Sequence, residues 1–255
     1  MSKHLIPAAL LWVVLTAIGE ATFLLDWLPV VGSPEAEEWD LIFNVLLAMG
    51  IPVFTFVVAA LVYAFTNFKT SNDGVETGAT FKGTGMFPKV WLAATSALVA
   101  VAMVIGLVSL SNLQADKSGY GWGEDQAPLV IETTAQRFSW TFSYKDKNVE
   151  LLSAKDSELL LPIDTEVKFE VDSIDVIHSL WIPAFRMKID AIPGRTTFLT
   201  VEPHVLGSFE TDENFRVQCA ELCGLNHTIM SMHIRVVEQA EFDAWLASKQ
   251  AKVSR

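Results

Sequence analysis

Two long stretches without a charged residue constrain the fold of this chain more than any other feature of its sequence. They cover Leu41–Phe65 and Val90–Leu110, which are 25 and 21 residues long. At a rise of about 1.5 Å per residue, each can cross a hydrocarbon core of about 30 Å as a helix. A bilayer offers the backbone no hydrogen-bond partners, so both stretches are predicted to be transmembrane helices. Pro52 lies inside the first stretch and predicts a kink there.

A third apolar stretch, Leu5–Leu25, is interrupted only by Glu20. It could be a retained membrane helix or a secretory signal sequence. Lys3 supplies the basic start that a signal peptide needs, but Ala17–Ala21 offers a poor cleavage site. The sequence therefore favours a retained helix, which brings the expected number of membrane helices to two or three.

The charges between the apolar stretches predict the orientation of the chain in the membrane. Residues 67–89 contain three lysines, whereas residues 26–40 contain five acidic residues and no lysine or arginine. Positively charged loops tend to stay in the cytoplasm. Met1 and the 67–89 loop are therefore expected inside, and the acidic segment and everything after about Ser111 are expected outside.

The chain after Gln114 is polar and consists of short runs with high strand propensity, separated by turns. This pattern predicts a β-sandwich or barrel. We therefore divide the chain into a helical membrane region, 1–113, and an extracytoplasmic domain, 114–255, which begins with a linker over 114–126 and ends with an amphipathic helix over 239–250. The predicted strands are Leu129–Thr134, Ser139–Tyr144, Glu158–Leu161, Val167–Val171, Thr196–Val201, Phe215–Gln218 and Met232–Val237.

A dense group of soft metal ligands lies near the end of this domain. The run from Cys219 to Met230 contains Cys219, Cys223, His227 and Met230 within twelve residues. Cysteine, histidine and methionine together favour copper, and a mononuclear blue-copper site needs only one thiolate. Two thiolates can instead bridge a pair of copper ions, with His178 as a second imidazole ligand. A disulfide between the cysteines is the alternative, but it leaves the histidine and methionine spacing unexplained.

These motifs resemble subunit II of the haem-copper cytochrome c oxidases. The resemblance rests on Asp175-Val-Ile-His178-Ser, on Lys188-Ile-Asp-Ala-Ile-Pro-Gly-Arg195 and on Gln218-Cys-Ala-Glu-Leu-Cys-Gly224. It implies a cupredoxin-like domain with a dinuclear copper centre, CuA. It also implies that the Glu221 carboxylate helps to hold a magnesium or manganese ion shared with subunit I. The implied copper ligands are His178, Cys219, Cys223, His227, Met230 and the backbone carbonyl of Glu221.

The chain departs from this family's pattern in two places. Relatives usually carry a Gln-Trp-aromatic-Trp run before the copper motifs, whereas here Phe138 takes the place of the first tryptophan and Trp140 that of the second. The resemblance implies that electrons enter through these two rings. Many relatives also place a glutamate at the start of the last membrane helix, and the run Phe87–Trp91 has none.

The function implied by the resemblance is electron acceptance for a terminal respiratory oxidase in a bacterial inner membrane. The chain would take electrons from cytochrome c or a small copper protein and pass them to haem in subunit I, where dioxygen is reduced. Other oxidase subunits and the membrane are further expected partners. Two alternatives remain open: the CuA subunit of a nitric-oxide reductase, and a membrane-anchored copper-delivery protein.

The charge balance of the domain agrees with a basic protein partner. Residues 114–255 contain 22 acidic and 14 basic residues, which gives 14 − 22 = −8. Such a surface attracts basic proteins and does not favour nucleic acid. The chain also lacks the Cys-x-x-Cys-His motif of covalent haem attachment, so the electron donor is expected to be a separate protein or subunit. Five acids near the copper motifs are predicted to contribute to docking: Asp172, Asp175, Glu210, Asp212 and Glu213.

Overall fold

The computed structural model describes residues 2–25, 27–68, 84–115, 129–153 and 157–253. Most of the lysine-bearing loop and almost all of the predicted linker over 114–126 lie outside the described residues. The described parts form two compact units. One contains Met1–Trp27 and Leu41–Val108, and the other contains Leu28–Asp40 and Ser109–Arg255.

Three apolar helices occupy the N-terminal part of the chain, as predicted. They are α1 (Ser2–Glu20), α2 (Pro34–Asn67) and α3 (Met86–Ala115), and a short 3-10 helix, Ala21–Leu24, follows α1. Within the described residues, three helical segments are long and apolar enough to cross a membrane. Pro52 lies inside α2.

Helix α2 begins seven residues earlier than the apolar stretch predicts. Ser33 precedes the helix, and its carbonyl and Oγ lie 3.1 and 3.4 Å from the backbone nitrogen of Ala36. Pro34 occupies the first helical position, and Glu35 and Glu37 lie in the first turn. Each of these features stabilises a helix N-terminus. The acidic segment that the sequence presents as a loop is therefore partly helical.

Hydrogen bonds along most of α1 join it to the part of α2 between Pro52 and Tyr63. A Cβ atom added to Gly19 would lie only 2.6 Å from Ile51 Cγ2, so the two helices approach closely at this glycine. Small residues and interhelical hydrogen bonds are typical of paired membrane helices. These contacts pair α1 with α2 in the manner of two membrane helices. The hydrogen-bonded pairs are His4 Nδ1 with Tyr63 Oη at 3.0 Å, Trp12 Nε1 with the Pro52 carbonyl at 2.8 Å, and Thr16 Oγ1 with Thr55 Oγ1 at 2.7 Å.

The C-terminal part forms a β-sandwich of eleven strands among the described residues. The strands are β1 (Leu129–Gln136), β2 (Ser139–Tyr144), β3 (Val149–Leu152), β4 (Glu158–Pro162), β5 (Val167–Ser173), β6 (His178–Ile182), β7 (Met187–Ala191), β8 (Thr197–Val201), β9 (Gly207–Ser208), β10 (Arg216–Cys219) and β11 (Ser231–Val237).

The strands form two mixed sheets. The first sheet has the order β3-β2-β1-β5-β8, and the second has the order β4-β11-β10-β6-β7 with β9 paired to β11. The pairs β1–β5 and β4–β11 are parallel, and the other pairs are antiparallel. This architecture confirms the predicted cupredoxin-like sandwich.

The seven predicted strands are confirmed to within two residues at each end, whereas β3, β6, β7 and β9 were not predicted. Strand β6 is buried at four of its five positions, so its sequence shows no alternation of apolar and polar residues. Strand β9 has only two residues. A prediction based on the alternation of apolar and polar residues therefore misses both strands.

The core of the sandwich contains large side chains from both sheets and from the last helix. Trp140, Phe142 and Phe169 are fully buried between the sheets. Helix α4 (Gln239–Val253) covers one end and buries Phe242 and Leu246, which confirms its predicted apolar stripe.

Residues 28–40 pack against the sandwich within the second compact unit. The Gly32 backbone N–H donates to the Ala184 carbonyl at 2.9 Å. Arg186, at a φ of 55°, donates through Nε and Nη2 to the two carboxylate oxygens of Asp40 at 2.8 and 2.7 Å. Its guanidinium also donates to the carbonyls of Pro29 and Val30. One arginine therefore holds both the extended segment and the first turns of α2.

Candidate metal centre

The predicted copper loop connects β10 to β11. Cys219 ends β10, and its backbone N–H donates to the Met230 carbonyl at 3.0 Å, which closes the loop at its base. The Ala220 N–H donates to the Ser179 carbonyl at 2.9 Å and ties the loop to β6, the strand that begins with His178. Strand pairing thus brings an upstream histidine next to a loop forty residues later.

The two cysteines lie side by side as free, buried thiols. Their Sγ atoms are 4.0 Å apart, whereas a disulfide requires about 2.05 Å. The gap is less than twice a metal–thiolate bond of about 2.3 Å, so one ion can contact both sulfurs. The geometry of the pair is therefore that of a metal site and not of a disulfide.

Four further donor atoms surround the thiols. His178 Nδ1 lies 3.8 Å from Cys219 Sγ, and His227 Nδ1 lies 3.5 Å from Cys223 Sγ. The thioether of Met230 is 3.9 Å from Cys223 Sγ, and the Glu221 carbonyl oxygen is 3.3 Å from Cys219 Sγ. Ligand atoms of His178, Cys219 and Cys223 all lie within 4.8 Å of one another. The structure brings together all six predicted copper-ligating residues.

This donor set favours the binding of a soft cation. It disfavours a metal-free site with an ionised Cys223 thiol. Burial, followed by the neighbouring Cys219 thiol, raises the pKa of Cys223 to about 11. Without a cation the Cys223 thiol therefore holds its proton at neutral pH. A soft metal ion replaces that proton and supplies the missing positive charge. The residues present fit a copper site.

The Asp175 carboxylate contacts the upstream histidine. Its Oδ1 lies 2.9 Å from His178 Nε2, so the opposite ring nitrogen, Nδ1, faces the thiols. Burial alone raises the pKa of the Asp175 carboxyl, but hydrogen bonds from His178, Arg137 and Val176 outweigh it and hold the pKa well below its usual range. The sequence suggested a docking charge here. The carboxylate also points at a predicted ligand, a contact that the i,i+3 spacing to His178 could have signalled.

The two aromatic residues proposed as the electron path occupy different positions. Trp140 is fully buried, with its ring centroid 6.1 Å from that of His178 in an edge-to-face contact. Phe138 is only partly buried and lies beside Gly224, whose φ of +136° favours glycine. A Cβ at Gly224 would lie 3.1 Å from Phe138 Cε1, so this ring touches the copper loop itself.

Glu221 presents its two functional groups in different directions. Its carbonyl faces Cys219, whereas its side chain is exposed to solvent. Among the described residues, the side chains of His178, Cys219 and Cys223 lie close enough together to hold one metal ion. The Glu221 carboxylate is not part of this group.

Comparisons with known proteins find relatives of one family. Residues 141–237 match the family model of the periplasmic domain of cytochrome c oxidase subunit II. Cytochrome c oxidase subunit 2 of Synechocystis is 26% identical over 260 residues, covering 87% of this chain and 75% of that protein. The subunit 2 of Branchiostoma floridae is 30% identical over 165 residues, covering 58% of this chain and 68% of that protein.

A solved structure is also similar. The periplasmic domain of subunit II of cytochrome oxidase from Bradyrhizobium japonicum is 34% identical. The match covers 50% of this chain and 97% of that chain, with a TM-score of 0.46.

Proposed function

Because the chain belongs to the cytochrome c oxidase subunit II family, we propose that it accepts electrons for its oxidase at a pair of copper ions. The observation that carries this proposal is the pair of buried thiols 4.0 Å apart, with imidazole and thioether donors on either side. The proposed ligands are His178, Cys219, the Glu221 carbonyl, Cys223, His227 and Met230.

The protein's own contribution is to hold these donors in place before and after electron transfer. A copper pair held by Cys219, Cys223 and their neighbouring donors would allow one transferred electron to be shared between two metal ions. The strand pairing of β10 with β6 and β11 fixes both ends of the loop, and Asp175 fixes the His178 ring. Cys219, Met230 and His178 are almost completely buried, which keeps water from the ligands. A fixed, dry site needs little rearrangement when its charge changes.

Exposed apolar side chains beside the thiols suit contacts with other proteins. Leu222, Leu225 and Ile229 are 78%, 93% and 68% exposed on the copper loop. Apolar groups at the surface of such a loop favour protein–protein contact. We propose that the donor is cytochrome c or a small copper protein, and that electrons pass on to haem in subunit I, where dioxygen is reduced. The proposed location is a bacterial inner membrane, with the copper domain on the periplasmic face.

The exposed Glu221 carboxylate is the proposed contribution of this chain to a magnesium or manganese ion shared with subunit I. Its position supports that role, because the carbonyl of the same residue lies at the thiols while the carboxylate is free to reach a partner. Carboxylate oxygen is also the ligand type that these hard cations prefer.

Copper loading of the full-length chain in detergent tests the proposal. We expect two copper ions per chain and an electron paramagnetic resonance spectrum split by two equivalent nuclei. Cys219→Ser should abolish the pair, because a hydroxyl is a poor substitute for a soft bridging thiolate.

Two methionines provide a matched control. Met230→Leu should keep two copper ions and shift their reduction potential, whereas Met232→Leu should change neither quantity. Met232 is buried on β11, two residues after the proposed ligand, and is not part of the donor set. A fully loaded wild-type protein with a single copper ion would exclude the proposed centre.

A further inference from the structure

The carboxylate of Asp175 contacts a proposed copper ligand on one side and a surface turn on the other. Its Oδ1 lies 2.9 Å from His178 Nε2. Its Oδ2 accepts the Arg137 backbone N–H at 2.8 Å and the Arg137 Nε–H at 3.3 Å. Arg137 immediately precedes Phe138, the ring that touches the copper loop.

We propose that Asp175 is a positioning residue that sets the orientation of His178 and ties this ligand to the Arg137–Phe138 turn. The inference rests on the proposed function, because it assumes that His178 Nδ1 binds copper.

The hydrogen bond determines which ring nitrogen is available to a metal ion. A neutral imidazole carries one N–H, and an ionised carboxylate can only accept a hydrogen bond. Nε2 therefore carries the proton, and the lone pair of Nδ1 faces the thiol of Cys219 at 3.8 Å. His178 is completely buried, so in the folded protein the partner of Nε2 is the carboxylate and not bulk water. Outer carboxylates fix the tautomer and ring orientation of metal-ligating histidines in this way.

The carboxylate is itself held in place by its own segment. The Val176 backbone N–H donates to Oδ1 at 2.6 Å, and the Asp175 side chain is 25% exposed. The backbone N–H of Arg137 fixes the other oxygen, so the carboxylate cannot rotate without losing bonds to two segments. The Phe138 ring packs against Gly224 in the copper loop. The Arg137–Phe138 turn therefore contacts the site at two places: at Asp175, which contacts His178, and at Gly224 in the copper loop.

Two substitutions at Asp175 separate hydrogen bonding from charge. Asp175→Asn and Asp175→Ala remove the same negative charge, but the asparagine keeps an acceptor oxygen. We expect copper affinity of the full-length chain in detergent to fall by about 10- to 100-fold in Asp175→Ala, the usual effect of losing an outer partner of a metal ligand. The loss should be smaller in Asp175→Asn. The histidine nitrogen hyperfine couplings of the bound copper should change in the same order, which a merely structural role would not produce.

Asp190→Asn provides the matched control. Asp190 accepts a hydrogen bond from Ser179, the neighbour of His178, at 2.8 Å, and its hydrogen bonds do not involve the histidine or the Arg137–Phe138 turn. Copper affinity and hyperfine couplings should stay at wild-type values in this variant.

The copper affinities of these variants distinguish a positioning role of Asp175 from an effect of its charge alone. Equal losses in the two Asp175 variants would indicate a charge effect and overturn the inference, as would wild-type behaviour of both. If Asp175→Ala fails to fold by circular dichroism, the comparison of Asp175→Asn with Asp190→Asn decides, and equal values overturn the inference. A wild-type protein without a copper pair would overturn the proposed function instead.

Discussion

Phe138 and Trp140 differ in how a docked electron donor can reach them. Phe138 lines a surface cleft beside Thr228 and Ile229 of the copper loop, whereas Trp140 is fully buried. We predict that Phe138→Leu slows electron acceptance several-fold at saturating donor while the copper spectrum stays unchanged. Stopped-flow reduction of the copper-loaded chain measures this rate. Leucine keeps most of the apolar contact but removes the ring.

The matched control is Phe209→Leu. Phe209 is also a partly exposed aromatic residue, but it stacks on His233, with ring centroids 3.7 Å apart, and not on the copper loop. An unchanged rate in Phe138→Leu, or equal slowing in both variants, would remove Phe138 from the electron path. Trp140→Leu is a less specific test, because shortening a fully buried large aromatic side chain leaves a cavity in the core and lowers stability as well.

At the level of single residues, the sequence indicated which donor residues lie together, but it did not indicate how their side chains are oriented. Cysteine, histidine and methionine at short spacing indicate a soft metal whatever the fold. The role of Asp175 depends on the direction of its side chain, and an aspartate near a motif equally suits a surface charge. The approach of Arg137 to Asp175 spans 38 residues of sequence and follows only from the pairing of β1 with β5.

Among the elements, residues 28–40 are attached to the sandwich largely through the side chain of Arg186. Arg186 and Asp40 form a two-point ion pair with side chains only 13% and 15% exposed. We predict that Arg186→Met lowers the unfolding free energy by about 3 kcal/mol, because it leaves a largely buried carboxylate and two carbonyls without their donor. At about 2 to 4 °C per kcal/mol, the melting temperature of the full chain in detergent should fall by roughly 6 to 12 °C.

Lys145→Met is the corresponding change at the surface. Lys145 lies 3.0 Å from Glu170 with a side chain that is 42% exposed. Exposed ion pairs contribute little to stability. The melting temperature of this variant should therefore stay close to that of the wild type. Similar melting temperatures in both variants would show that the Arg186 contacts do not stabilise the segment.

Prediction of the elements succeeded where one local signal dominated. The uninterrupted apolar stretches of the membrane helices and the alternation of apolar and polar residues in strands such as β2 are signals of this kind. It fell short where the local signals conflicted. The acids of residues 34–40 suggested a solvated loop, although Ser33 and Pro34 are a helix start signal. The buried strand β6 lacks alternation because its residues are covered on both faces.

For the whole molecule, the orientation in the membrane is the main prediction that remains. Residues 67–89 contain three lysines and residues 26–40 contain five acidic residues without a basic one. This asymmetry predicts that the first segment stays in the cytoplasm and that the second reaches the periplasm. The copper domain must then lie outside, because α3 follows the lysine-bearing loop and crosses the membrane once more.

Two single-cysteine substitutions test this topology. Glu37 has a side chain that is 69% exposed, and Thr84 is an exposed residue just before α3. Cys219 and Cys223 are buried, so they should react slowly with a thiol reagent. In intact cells, a membrane-impermeant maleimide should label Glu37→Cys and leave Thr84→Cys unlabelled. Both variants should react after the cells are permeabilised, which controls for the reactivity of each thiol. Labelling of Thr84→Cys but not Glu37→Cys in intact cells would reverse the orientation and place the copper domain in the cytoplasm, where a periplasmic electron donor could not reach it.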